Sequence, residues 1–129
     1  MKKFLLITML FTLSILAACA PQLARPLIVY AATTEQVTNT IVSTATRTKP
    51  EGSYSNWTVT GIGETSVALR SDADFLGKLG HNPITVTMVW TFRKGPGGVA
   101  VAVDSSGFDD PRKTEQVFFD ALDTDFRRM

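Results

Sequence analysis

At 129 residues, with 13 basic and 12 acidic side chains, the chain has room for one domain and lacks the charge excess that marks an electrostatic nucleic-acid binder. A composition 44% hydrophobic and 19% charged, with nine glycines and six prolines, excludes collagen-like, coiled-coil and strongly disordered classes. Enough apolar material is present for a folded core.

Lys2 and Lys3 precede an apolar run from Phe4 to Leu16, which leaves through the small residues Ala17 and Ala18 before Cys19. A charged start, an apolar middle and a small-residue exit form the layout of a secretory signal peptide. The 15 residues from Phe4 to Ala18 are interrupted by Thr8, Thr12 and Ser14 and fall short of the ~20 that a membrane-spanning helix needs. Leu16-Ala17-Ala18-Cys19 resembles the lipobox of bacterial lipoproteins, in which the chain is cut just before the cysteine. The resemblance covers the signal region alone.

It implies that the Cys19 thiol receives a diacylglycerol and that the freed amino group takes a further acyl chain such as palmitate. Two or three acyl chains anchor a protein firmly to a bilayer. It also implies outer-membrane rather than inner-membrane placement in a host with two membranes, because Ala20 follows the cysteine where Asp commonly marks inner-membrane retention. An ordinary signal peptide that leaves a buried free cysteine is the alternative. Removing the first 18 residues leaves 111, with 11 basic against 12 acidic side chains, so a charge of +1 becomes −1. Cys19 is the only cysteine, so no internal disulfide is available and the exported domain relies on its apolar core.

After Cys19, Pro21 and Pro26 among small and polar residues suit an extended tether. Leu27-Ile28-Val29-Tyr30 is either a short edge strand or the segment that docks the tether, so residues 19–30 are read together as tether and docking segment. Thr33-Thr34-Glu35-Gln36 forms a capping box, and Val37, Ile41, Val42 and Ala45 follow near helical spacing, predicting a helix from about Thr34 to Arg47. Its threonines and Asn39 are weak helix formers, so packing must hold it.

Alternation in Trp57 to Thr60 and Ser66 to Arg70, with a turn at Gly61 to Glu64, predicts a hairpin. A connection from Asp72 to Pro83 has room for one helical turn around Asp74 to Leu79. Ile84, Val86, Met88, Trp90 and Phe92 then share one face of a strand, with Thr85, Thr87, Val89, Thr91 and Arg93 on the other. Gly95 to Gly98 reverses the chain into a second hairpin whose return strand carries Val99, Val101 and Val103. Asp109 or Asp110 caps a last helix with Pro111 at its start. Val117, Phe118, Ala121, Leu122 and Phe126 form its stripe, and Arg127 and Arg128 close it favourably for the helix dipole.

These elements predict one α+β domain over residues 31–129, in the order α-β-β-β-β-α. A four-stranded antiparallel sheet packs both helices on its apolar face in two layers. The opposite face, with Thr58, Thr60, Thr85, Thr87, Thr91 and Arg93, is expected to stay wet and to serve as an interaction face.

Signatures of chemistry are sparse. His81, the single histidine, stands beside Asn82 and Pro83 with no zinc spacing and no nucleophile motif near it, and reads as a solvated loop residue; a hydrolase built on His81 and Asp74 is the remotest alternative. Asp72, Asp74, Asp109 and Asp110 lie outside any EF-hand frame and read as caps and loop residues. Asp120, Asp123 and Asp125 read as partners of Arg127 or Arg128 or as solubilising groups rather than as a shared metal site. Both glycine clusters lead into strands, where a phosphate loop would lead into a helix. Asn56-Trp57-Thr58 matches a glycosylation acceptor but carries no function in a bacterial lipoprotein setting.

Trp57, Trp90, Phe92, Phe118, Phe119 and Phe126 read as core, the alternative being a lipid-binding groove. The chain is therefore expected to be non-catalytic, with no metal or cofactor and no nucleic-acid partner. It would be anchored to the membrane through Cys19 and meet other envelope proteins. A small-ligand or lipid carrier with a groove between helices and sheet is the alternative.

Overall fold

The computed structural model describes residues 27–79, 85–108 and 110–129. Eight elements follow one another: β1 (Ile28–Tyr30), α1 (Thr34–Arg47), β2 (Thr58–Ile62), β3 (Ser66–Asp72), α2 (Phe75–Leu79), β4 (Thr85–Gly95), β5 (Gly98–Ser106) and α3 (Arg112–Asp125). The strands form one antiparallel sheet in the order β1-β5-β4-β3-β2.

Helix α1 starts where Thr33 and Gln36 cap each other. The Thr33 hydroxyl accepts from the Gln36 N–H at 3.1 Å, and the Gln36 side-chain oxygen accepts from the Thr33 N–H at 2.9 Å, so two otherwise unpaired donors are satisfied. The hydroxyls of Thr44 and of the C-cap residue Thr48 donate to the carbonyls of Thr40 and Thr44, which keeps them satisfied against the helix's own backbone. Val37, Ile41 and Ala45 face the sheet and are buried.

Strand β4 supplies the centre of the core. Val86, Met88, Trp90 and Phe92 are buried under the helices, joined by Val67 and Leu69 of β3 and Val99 and Val101 of β5. Trp90 meets Phe118 with ring centroids 5.4 Å apart and Phe119 at 5.1 Å, while Trp57 closes on the other side of Phe118 at 6.2 Å. Such tilted and edge-on aromatic pairs add to the gain from burial itself. Between β4 and β5, Pro96 and Gly97 make the reversal, with Gly97 at φ 78°, a left-handed conformation glycine takes without strain.

The mixed α+β class is consistent with the structure, but the sheet has five strands rather than the four expected. The fifth is β1, whose Ile28, Val29 and Tyr30 pair with Val101, Ala100 and Val99, so the segment is an edge strand of the domain. Three residues are too short to show alternation, and the pairing comes from a partner about 70 positions away. A second correction concerns the C-terminus. Helix α3 ends at Asp125 with Phe126 as its cap, so Arg127 and Arg128 lie beyond its last turn rather than within it.

Instead the last residues run along β1. Ala31 N–H donates to the Arg127 carbonyl and Met129 N–H to the Val29 carbonyl, each within 3 Å, and Tyr30 bridges Arg128. The outer edge of β1 is covered in this way, which removes a template for unwanted strand pairing. Val117 is 43% exposed and outside the apolar stripe, and Thr114 and Glu115 are buried in its stead beside Phe118 and Leu122. The opposite edge, β2, carries a bulge where Thr60 intervenes between Val59 and Gly61, another device that discourages edge pairing.

Candidate functional site

With α1 and α3 on one side, the register of the strands defines what the other side presents. Thr58, Arg70, Thr87 and Ser106 lie in one row across β2, β3, β4 and β5. The next row runs Ala68, Val89, Asp104, and the one after it Ser66, Thr91, Ala102. Arg93, Ala100 and Val29 form the row nearest the β4–β5 turn.

Thr58, Thr60, Thr91 and Arg93 are exposed on this face, while Thr85 and Thr87 are half-buried. Thr60 sits at the bulge, its hydroxyl donating to the Ala68 carbonyl at 3.2 Å. The Thr85 hydroxyl donates to Asp72, 2.9 Å away, and the same carboxylate oxygen holds the Arg70 guanidinium at 3.1 Å. Arg70, Ser66, Ala68, Ala100 and Ala102 belong to the face as well. Alternation around Val67 and Leu69 marks the β3 members; cross-strand register is needed to place them beside Thr91 and Thr58.

A second polar cluster joins the chain ends. The Tyr30 hydroxyl donates to Asp123 at 2.9 Å, and Arg128 grips both oxygens of that carboxylate at 2.6 and 2.8 Å, its guanidinium carbon 6.0 Å from the Tyr30 ring centre. Burial, and then the neighbouring Asp123 carboxylate, push the Tyr30 phenol up to about 12. Hydrogen bonding to Arg128 holds Asp123 below the usual carboxylate range. A phenol so reluctant to ionise is a hydrogen-bond donor at neutral pH and offers no base or nucleophile. The cluster is a structural clasp.

The other aspartates are dispersed. Asp125 accepts from Thr40 of α1 at 2.7 Å, Asp120 from Gln116 at 2.8 Å, and Asp110 from the backbone N–H of Arg112 at 3.1 Å, a capping role. Buried Glu115 accepts from the Ser105 hydroxyl, tying α3 to β5. Among the described residues no three His, Cys, Asp or Glu side chains converge as a metal site would require, and no helix is long and apolar enough to cross a membrane.

An open cleft of about 560 Å³ lies between residues 32–36 and the β4–β5 turn, but the α1 N-terminus beside it is already capped by its own residues. Of the aromatic residues, Trp57, Trp90, Phe92 and Phe118 are core, and Phe119 and Phe126 pack against it. Cys19, His81 and Asp109 lie outside the described residues. No protein-family model matches the chain, and neither a curated protein nor a solved structure is significantly similar to it.

Proposed function

We propose that this chain is a non-catalytic module held at a cell-envelope membrane by acyl chains on Cys19, and that it meets other envelope proteins through the open face of its sheet. Both long helices lie on one side of the sheet, and that one-sidedness carries the reading. The uncovered face is low around Ser66, Ala68, Ala100 and Ala102, which have small side chains, with exposed Thr91 standing between Ser66 and Ala102 and exposed Thr58 and Arg93 farther out. A partner can approach such a surface closely and find hydroxyl and guanidinium donors there. Tethering two proteins to one membrane raises their effective concentration, so a modest interface suffices. The carrier alternative has no comparable support, since Trp90, Phe118 and Leu122 are fully buried against one another.

The test is site-specific photocrosslinking of the membrane-bound full chain, with the photoreactive group at Thr91 and, as a control on the helical side, at Asn39. An envelope protein captured at Thr91 but not at Asn39, and lost when Thr58→Lys is added, is the expected result. Identical captures from both positions, unchanged by Thr58→Lys, would exclude the open face as the interface.

A further inference from the structure

The end of the sheet nearest α2 carries the most exposed apolar surface among the described residues. Phe75 is 75% exposed, Leu76 68% and Leu79 65%, all within one five-residue helix. Positions 75 and 79 stack on one helical face and 76 adjoins it, so the three form one patch rather than scattered contacts. Exposed apolar clusters of this kind mark surfaces that meet a protein or a membrane.

The path of the chain indicates which. Strand β1 is antiparallel to β5, with Tyr30 opposite Val99 and Ile28 opposite Val101. Followed backwards towards Cys19, β1 therefore heads away from the β4–β5 turn and towards Ser106, Thr85 and the α2 end of the sheet. From Val101 to Ser106 is about 17 Å, and β4 and β3, the strands that α2 joins, lie about 10 and about 15 Å to the side of β1. The eight residue steps from Leu27 back to Cys19 reach at most ~26–29 Å. A lipid on Cys19 and the patch on α2 can thus lie in one plane.

We infer that α2 is a second membrane contact, its Phe75, Leu76 and Leu79 entering the interfacial region of the bilayer in which Cys19 is anchored and standing the sheet on its α2 end. This inference rests on the reading of Cys19 as the lipidated residue. Two ion pairs lie at this end, Arg70 with Asp72 and Lys113 with Glu51, and the exposed α2 residues that make the contact, Phe75, Leu76 and Leu79, are apolar. In this pose the open face stands roughly perpendicular to the membrane, accessible to neighbours anchored in the same leaflet.

The experiment uses the full chain, purified from its membrane and reconstituted into phosphatidylcholine vesicles whose acyl chains carry a nitroxide quencher. A polarity-sensitive fluorophore is placed on Leu76→Cys or, as control, on Glu64→Cys in the β2–β3 turn at the far end; acylation of Cys19 leaves the introduced thiol the only one free. The Leu76→Cys label should shift to the blue and lose about half its emission to the quencher, and the Glu64→Cys label neither. Adding Phe75→Asp should abolish the quenching, with circular dichroism showing an unchanged fold.

If the protein is acylated and vesicle-bound but the Leu76→Cys label is unquenched, the second contact is refuted and the anchor stands. Equal quenching at both positions refutes the orientation. A label shielded by a second copy or a protein partner, revealed by crosslinking at position 76 without quenching, also refutes it. An intact mass without acyl chains refutes the anchor, and the inference with it.

Discussion

Tyr30, Asp123 and Arg128 show how much a few side chains can do at the scale of the residue. Arg128 holds the carboxylate, the carboxylate receives the phenol, and the phenol belongs to the edge strand, so the end of α3, the C-terminus and β1 are fastened at one point. Asp123→Asn should lower stability by about 1 kcal/mol near pH 7, the order expected for a partly exposed ion pair and one hydrogen bond. Because Asp123 is held below its ordinary value of 3.8, its contribution is present above that pH and disappears as the pH falls through the lowered value. Wild type and Asp123→Asn should therefore converge in acid denaturation curves.

Tyr30 behaves in the opposite sense. Its phenol is raised from 10.0 to about 12, so the folded state holds the proton more tightly, and this contribution is complete below pH 10 and lost as the pH climbs through about 12. Thermal midpoints measured across that range should fall less steeply for Tyr30→Phe than for wild type.

Elements depend on devices of a similar size but different kind. Helix α1 carries six threonines or serines between Thr34 and Thr46, and its start is secured by the Thr33–Gln36 box. Thr33→Ala should cost about 1 kcal/mol, read as a lowered denaturant midpoint with an unchanged slope. Strand β1 rests on close approach. A Cβ on Gly98 would stand 2.5 Å from the Tyr30 carbonyl oxygen and 2.6 Å from the Met129 sulfur, so Gly98→Ala must push β1 and the C-terminal residues off β5. Hydrogen exchange should then accelerate at Ala31 and Met129, whose N–H groups bridge these segments, while the β3–β4 ladder stays protected.

For the whole molecule, stability comes from one apolar layer between a sheet and two helices. Leu122 is fully buried in α3, and Leu122→Ala should cost about 2–5 kcal/mol, a large share of what a domain of this size possesses. Calorimetry would register the loss as a lower midpoint. Under the proposed anchoring, Cys19→Ser removes the thiol that would be acylated, and the expected outcome is release of the chain from washed membranes with its circular dichroism preserved. Retention on the membrane would mean that some other feature holds it there.

Local chemistry made much of this molecule legible. The capping box at Thr33, the helix to Arg47 and the long alternating strand around Trp90 follow from short-range rules, because hydrogen-bond capping and the two-residue strand period act between near neighbours. Alternation likewise put Thr91 and Arg93 opposite the core. The pairing of Asp123 with Arg128 was among the readings the sequence offered, whereas what depends on segments distant in the chain lay beyond it: the choice of β1 as a fifth strand and the C-terminal residues laid along it. The row that sets Thr58 beside Arg70 and Thr87, and the direction of β1 against β5, also belong to tertiary structure. Three residues carry no period of their own, and only the assembled sheet supplies the partner that makes them a strand.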